Sequence, residues 1–270
     1  MQCDVVVMNF SGVYEKGCFY KKQLNTDSDL YKSHIVRLDC KDIDGTNCYC
    51  DDAAKTVILS RISPYTDSAI HFIDSGNYHY LSRLWIERIK EPFQLIVFDH
   101  HTDMQPPAFG DILSCGGWIL DAFDGVPDLK RLVLIGPSEE DFRDVEERLQ
   151  KNTIYISENK IYESADRIEN MFTEGDTNET NSGALTLPIY ISIDKDILSK
   201  DELQTNWSQG SLSTDQLILC LTHILDYAKE QSIRILGIDI CGESAPEEQY
   251  QEASDEINMR IFSACKRIMI

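Results

Sequence analysis

The stretch LIVFDHHTD, residues 95–103, places an apolar run directly before Asp99, His101 and Asp103. Continuous apolar runs of this kind are typical of strands buried on both faces of a parallel sheet. Because side chains alternate along a strand, Asp99 and His101 are predicted to point to one side and His100 to the other. The stretch therefore predicts a strand whose carboxyl end carries ligating side chains.

A second stretch, IYISIDKD at residues 189–196, repeats this pattern almost a hundred residues later, and SGNYH at residues 75–79 follows a third apolar run. In open α/β sheets, ligands bind beyond the carboxyl ends of the strands. We therefore expect four carboxylates and two imidazoles to meet at one sheet edge: His79, Asp99, His101, Asp103, Asp194 and Asp196. So many donors suit two neighbouring ions better than one. An oxygen-rich set with two imidazoles favours Mn²⁺, although the donor types alone leave zinc, iron, cobalt and nickel open.

Short Val/Ile/Leu-rich runs alternate with amphipathic stretches along the whole chain. This alternation predicts an α/β fold of three layers, α/β/α, with a mostly parallel central sheet of about eight strands. The predicted strands are residues 5–8, 34–38, 69–73, 94–98, 132–135, 153–156, 189–193 and 235–240. The predicted helices are residues 51–62, 79–89, 139–149, 161–172, 214–229 and 248–267. The polar residues 173–183 are predicted to form a surface loop, whereas residues 11–33 form a long irregular stretch that covers a sheet edge or joins a substrate mouth.

Composition narrows the class of protein. The 270 residues suit a single domain, residues 1–270, and the formal charge of −21 makes nucleic acid and anionic membranes poor partners. No apolar run approaches the ~20 residues of a membrane span, and no basic region precedes an apolar stretch near Met1. Nine cysteines without a CxxC pair indicate reduced thiols, with the CxC of Cys48 and Cys50 a weak metal or redox signal. We expect a cytoplasmic protein.

The chain resembles the ureohydrolases, the superfamily of arginase, agmatinase and formimidoylglutamase. The resemblance rests on four segments in the same order and with similar spacing: SGNYH at 75–79, DHHTD at 99–103, SIDKD at 192–196 and DICGESAP at 239–246. It covers roughly the last two hundred residues. Residues 1–70 carry no recognisable motif of this family.

The resemblance implies a fold like that of arginase and the deacetylases, and a site for two divalent ions, usually manganese. By analogy, His79, Asp99, Asp103 and Asp194 hold one ion, and Asp99, His101, Asp194 and Asp196 hold the other. The implied reaction is hydrolysis of a C–N bond in a small cationic guanidino or amidine substrate, in which a hydroxide held by the two ions attacks the carbon. Asp103 is expected to hydrogen-bond that hydroxide and Glu243 to pair with the substrate cation. Family members often form homo-oligomers.

The chain departs from the family pattern at four places. The segment SGNYH lacks the acidic residue usually found before the histidine, which bears on metal affinity, and His100, expected to face away from the metals, replaces an alanine. Residues 110–118, GDILSCGGW, contain Cys115 but no histidine for proton transfer, and LIGPSEED at 134–141 lacks the usual arginine. The last two changes argue against arginine itself as the substrate.

Two alternatives stay open at the level of sequence. A deacetylase-like hydrolase would use one zinc ion held by fewer ligands. A family member that binds metal without turnover would also explain the missing histidine.

Overall fold

The computed structural model describes residues 5–15, 19, 34–163, 187–244 and 248–266, with side chains in the last range from residue 251 onward. Ten strands lie within this part of the chain: β1 Val5–Asn9, β2 Ile35–Asp39, β3 Tyr49–Cys50, β4 Ile70–Phe72, β5 Phe93–Phe98, β6 Leu113–Ser114, β7 Leu129–Gly136, β8 Thr153–Ser157, β9 Ile189–Asp194 and β10 Ile235–Cys241. Eight of them form one parallel sheet in the order β2-β1-β4-β10-β9-β5-β7-β8. Strands β3 and β6 form a separate antiparallel pair.

The helices connect the strands and cover both faces of the sheet. They are α1 Asp52–Ile62, α2 Leu81–Ile86, α3 Trp118–Gly125, α4 Glu139–Arg143, α5 Glu147–Gln150, α6 Thr214–Glu230 and α7 Glu248–Lys266. One hydrophobic core lies between the sheet and α1, α2 and α3. A second core lies on the opposite face, under α6 and α7. The predicted three-layer α/β/α architecture is therefore confirmed.

The predicted elements agree with the observed ones at every strand of the large sheet. The predicted helix 139–149 is instead two short helices, α4 and α5, because the backbone turns to an extended conformation at Glu146 (ψ 135°). Helix α3 was not predicted, since its short apolar run follows two glycines and lacks a capping side chain. The predicted helix 161–172 and loop 173–183 lie outside the described residues, apart from residues 161–163, which end the 3₁₀ turn Glu158–Glu163.

Helix starts follow local capping chemistry. The Asp51 side chain accepts the Ala54 amide at the start of α1, and Ser138 accepts the Asp141 amide at the start of α4. Ser213 and Gln216 form a reciprocal capping box at the start of α6. In the described part of the chain, no helix combines the length and the apolar character that crossing a membrane requires.

The order of the sheet brings the sequence segments of interest together. Strands β4, β10, β9 and β5 are consecutive neighbours at its centre, and all run in the same direction. Their carboxyl ends lead into SGNYH, DICGESAP, SIDKD and DHHTD respectively. The expected convergence at one edge is thus a direct result of parallel pairing.

Gly136 ends β7 where the backbone passes very close to the start of the DHHTD segment. Its φ is +125°, and a Cβ atom there would lie 2.1 Å from the carbonyl oxygen of Asp99. We predict that Gly136→Ala lowers the free energy of unfolding by roughly 3 kcal/mol, because it adds backbone strain and forces two strand ends apart. Denaturant unfolding followed by circular dichroism measures this change.

Gly110→Ala is the matched control. Gly110 also has a positive φ (+56°), but nothing lies within 4 Å of its missing Cβ atom, so this variant carries only the cost of the backbone conformation. A Gly136→Ala variant no less stable than Gly110→Ala would contradict the close approach.

Candidate metal centre

Two groups of donor atoms lie side by side at the carboxyl edge of the central strands. His79, Asp99 and Asp194 form the first group, and Asp99, His101 and Asp196 form the second. The donor atoms within each group all lie within 4.8 Å of one another. Asp99 belongs to both groups, which is the position expected of a bridging carboxylate.

His79 follows β4 through a 3₁₀ turn, Gly76–Tyr78, and is buried. Its Nδ1 atom lies 3.0 Å from Asp103 Oδ2, 3.1 Å from Asp99 Oδ2 and 3.5 Å from Asp194 Oδ2. Its Nε2 atom lies 2.9 Å from the hydroxyl of Ser192 on β9. One ring nitrogen therefore faces three carboxylates from two segments, and the other faces a hydroxyl.

His101 has the same arrangement at the second group. Its Nδ1 atom lies 2.9 Å from Asp196 Oδ2 and 3.4 Å from Asp99 Oδ1, and its Nε2 atom lies 2.7 Å from the Ser208 hydroxyl. The serine contact at Nε2 holds the ring so that Nδ1 faces the carboxylates. Both imidazoles thus present the same nitrogen to the site.

The carboxylates are buried and repel one another. Burial, followed by the charges of Asp194 and Asp99, raises the pKa of Asp196 well above its ordinary value. Burial and the charge of Asp99 raise the pKa of Asp103 to about 7. Burial opposes ionisation of Asp99 as well, but hydrogen bonds from His101 and His79 lower its pKa below the ordinary value.

The pKa values of both imidazoles are raised by the surrounding carboxylates. Burial by itself lowers the pKa of His101, but hydrogen bonds to Asp196 and Asp99 raise it to about 12. The same balance raises the pKa of His79 well above its usual range, through Asp103 and Asp99. In the chain alone, protonated imidazoles hold the buried aspartates together. Divalent cations fit this donor set, because they replace those protons and bind carboxylate oxygen and imidazole nitrogen.

Asp103 lies beside the first donor group. Its Oδ2 atom accepts a hydrogen bond from Trp118 Nε1 at 2.7 Å, and its backbone has a left-handed φ of +49°. The carbonyl of Asp103 also accepts the amide of Ile119. Helix α3 therefore fixes both the main chain and the carboxylate of Asp103.

His100 is half-buried and lies outside both donor groups, as alternation along the strand predicts. Its amide donates to Asp196 Oδ1 at 3.2 Å, while its ring packs edge-on against His101. Burial, followed by the nearby His101, lowers the pKa of His100.

The structure does not bring Glu243 to the metal ligands. Its carboxylate is buried and lies 2.9 Å from Lys195 Nζ, and it accepts hydrogen bonds from Tyr14, Asn258 and Ser254. Both carboxylate oxygens are thus already used within the protein. The substrate contact expected of Glu243 stays a prediction that this arrangement does not favour.

Lys195 separates the ligands Asp194 and Asp196 in the chain, and its side chain points to the other side of the strand end. The fully buried ammonium also contacts Ser254 Oγ at 3.0 Å and Asn258 Oδ1 at 2.8 Å, both on α7. The Lys195–Glu243 pair therefore ties the SIDKD turn to the end of β10 and to α7. Sequence reasoning missed this pair, although a lysine between two aspartates at the end of a buried strand is its signal.

A cavity of about 250 Å³ opens above the donor groups. All six predicted ligands line it, so the structure brings the whole predicted set together. Cys48, Cys115 and Trp207 also line it, and sequence reasoning had favoured a purely buried role for Cys115. Burial raises the pKa of both thiols. Residues 1–70, which carry no recognisable motif, supply part of the wall through Cys48 and Tyr49.

Comparison with known proteins places this arrangement in a family. A sequence model of the arginase family matches residues 71–265. The chain belongs to the arginase family. The match spans every segment on which the resemblance to ureohydrolases rests, so that resemblance is confirmed.

Proteins similar to this chain match it along most of its length. An uncharacterized protein of Thermotoga maritima is 29% identical over 259 residues, covering 96% of this chain and 88% of that protein. A hypothetical agmatinase from Burkholderia thailandensis superposes with a TM-score of 0.65 at 17% identity, covering 98% of this chain and 86% of the other. Trypanosoma cruzi formiminoglutamase, solved with Mn²⁺, superposes with a TM-score of 0.66 at 13% identity, covering 98% and 92%. At these identities the superpositions establish the fold alone.

We predict that Asp194→Ala lowers both the metal content and the thermal stability of the manganese-loaded protein. The variant removes a carboxylate of the first donor group, which is predicted to bridge the two ions, and metal binding is coupled to folding. Metal content per chain is measured by plasma mass spectrometry after gel filtration, and stability by calorimetry.

His100→Ala is the matched control, because its ring belongs to neither donor group. This variant should retain nearly full metal content. Full occupancy in Asp194→Ala, or a marked loss in His100→Ala, would contradict the assignment of ligands.

A second prediction concerns the buried ion pair. Lys195→Met should lower the free energy of unfolding of the metal-free protein by roughly 3 kcal/mol, because it leaves the Glu243 carboxylate buried without its cation. Urea unfolding of this variant and of Lys195→Met/Glu243→Gln provides the measurement. The double variant should regain most of the loss, since no charge is then left unpaired.

Lys160→Met serves as the surface control. Lys160 pairs with Glu139 at 2.8 Å where both side chains are about half exposed, so little change is expected. If Lys195→Met behaved like Lys160→Met, the pair would not tie the SIDKD turn to its neighbours.

Proposed function

We propose that this protein is a binuclear metal-dependent hydrolase of the ureohydrolase type that cleaves a non-peptide C–N bond in a guanidino or amidine substrate. The observation that carries the proposal is the pair of donor groups that share Asp99 at the floor of a cavity. Membership of the arginase family supports the same reaction class. A single-zinc hydrolase needs only one such group.

The position of each residue suggests which of the two ions it would hold. His79, Asp99, Asp103 and Asp194 would hold one ion, and Asp99, His101, Asp194 and Asp196 the other, with manganese the preferred metal. Two divalent ions supply Lewis acidity and make a water nucleophilic near neutral pH.

Asp103 is proposed to orient the attacking water. Trp118 and the amide of Ile119 hold this residue in a fixed position beside His79. Ser192 and Ser208 hold the imidazoles with Nδ1 facing inward. Such preorganised polar groups lower the barrier of the chemical step because they need little rearrangement during it.

The proposal predicts that manganese-loaded protein releases urea, ammonia or an amine from at least one member of a panel of guanidino and formimino compounds. Asp99→Ala should lower this activity roughly a hundredfold or more, because it removes the shared ligand. Leu219→Ala, an exposed position on α6, should retain it. Product release is measured colorimetrically alongside metal content per chain.

Metal content and product release distinguish the three candidate functions. Two ions per chain with product release support the proposal, whereas one zinc ion per chain with deacetylation supports the deacetylase-like reading. Two ions without release from any compound identify a family member that binds metal without turnover. The position of Glu243 is the observation that favours this last candidate.

A further inference from the structure

The cavity wall above the metal ligands is neutral. Within the part of the chain that the structure describes, every charged side chain lining the cavity is one of the six ligands at its floor. The rest of the lining includes the rings of Tyr49 and Trp207, the ring of Pro106 and two uncharged polar side chains, Gln105 and Ser114. Among the residues that the structure describes above the floor, a charged group on the unreacting part of a substrate would meet no counter-charge.

Trp207 is held in place as a wall of this cavity. Its Nε1 atom donates to Asn77 Oδ1 at 2.9 Å, and Asn206 Nδ2 donates to the same oxygen at 3.1 Å. Asn77 in turn donates to Asn47 Oδ1 at 2.8 Å, which fixes the amide. The indole also packs on Gly76, where a Cβ atom would lie 2.7 Å from the indole Cδ1. Asn77 thus positions an aromatic ring.

The indole of Trp207 lies next to His101, one of the predicted metal ligands. Its ring lies 5.9 Å from the ring of His101, at an interplanar angle of 75°. About 38% of Trp207 is exposed, so an apolar surface faces open space beside a metal ligand. At the mouth, the exposed rings of Tyr49 and Phe109 pack edge-to-face with centroids 6.1 Å apart.

The uncharged lining and the exposed indole favour some substrate tails over others. Burying an unpaired charge is costly, whereas a planar apolar group recovers free energy by covering the indole and excluding water. Glu243, whose carboxylate oxygens are bonded to Lys195, Tyr14, Asn258 and Ser254, supplies no charge to this wall.

We propose that the substrate carries an uncharged tail with a planar or aromatic group, and that Trp207 is the specificity-determining residue on which this group packs. This inference rests on the proposed function, since it describes the remainder of a molecule whose reacting group lies over the metal ligands. It places the natural substrate among neutral-tailed guanidines or amidines, and not among amino acids or diamines.

Three compounds that carry the same guanidino group on different tails test the proposal. They are benzylguanidine, with a neutral aromatic tail, 4-guanidinobutanoate, with an anionic tail, and agmatine, with a cationic tail. Isothermal titration calorimetry of each into manganese-loaded protein gives the affinity, and urea release is measured in parallel. Benzylguanidine should bind at least about tenfold more tightly than either charged compound. Equal or tighter binding of a charged compound, or no measurable binding of benzylguanidine, overturns the proposal.

Variants of Trp207 test whether this residue causes the preference for an aromatic tail. Trp207→Ala should weaken benzylguanidine binding about tenfold and leave the two charged compounds nearly unchanged. Trp207→Phe keeps a flat ring and should retain most of the benzylguanidine affinity. Unchanged benzylguanidine binding in Trp207→Ala, at full metal content, overturns the role of Trp207.

Failure of this inference can be told apart from failure of the proposed function. Urea release that favours agmatine or 4-guanidinobutanoate contradicts the inference while supporting the hydrolase. Preferential binding of benzylguanidine that depends on Trp207, without urea release from any of the three compounds, supports the inference while contradicting the hydrolase.

Discussion

Mutual repulsion among buried aspartates is the constraint on which this structure depends. Asp99, Asp103, Asp194 and Asp196 come from two distant segments and meet where they are largely buried, so that neighbouring charges raise the pKa of Asp103 and Asp196. Positive charge or bound protons must offset the repulsion among them. In the chain alone, His79 and His101 supply it through their raised pKa values. Divalent cations supply it more strongly, which explains why a site of this composition is suited to metal.

Close backbone contacts and buried polar contacts fix the positions of the predicted ligands. Gly242 has a φ of +76°, and a Cβ atom there would lie 2.2 Å from Asp194 Oδ1, so β10 passes directly against a ligand. Glu243 follows and pairs with Lys195, while its amide donates to the carbonyl of Asp74, ahead of the turn that carries His79. Asp74 also accepts the amides of Phe10 and Ser11 from the end of β1. The ends of β1, β4, β9 and β10 are therefore joined by one buried polar network.

The same network bears on function. A carboxylate that holds Lys195 is not available to a substrate, so recognition falls to the neutral cavity wall. Asn77, within the SGNYH segment that carries His79, fixes Trp207. The donor groups at the floor carry the proposed reaction class, whereas the uncharged lining above them carries the proposed substrate preference. In these proposals, reaction class and substrate choice depend on different residues.

Much of the fold and of the metal site could be read from residue order. Continuous apolar runs predict buried parallel strands, and acidic side chains directly after two of those runs must meet at one edge, because parallel strands share the direction of their carboxyl ends. This reasoning located the eight strands and the six predicted ligands that line one cavity, and alternation along the strand correctly set His100 apart from the donor groups.

Contacts between distant segments were decided only by the tertiary structure. The partner of Glu243, the serines behind the imidazoles, the tryptophan held by Asn77 and the contribution of Cys48 and Tyr49 to the cavity depend on how turns of irregular backbone pack together. The packing of irregular turns leaves no repeating pattern of residue types in the sequence. The sequence by itself determined what the sheet edge can bind, because strand direction and residue type are local properties. Which molecule fits above that edge depended on the fold, since the cavity wall is assembled from segments that no sequence pattern connects.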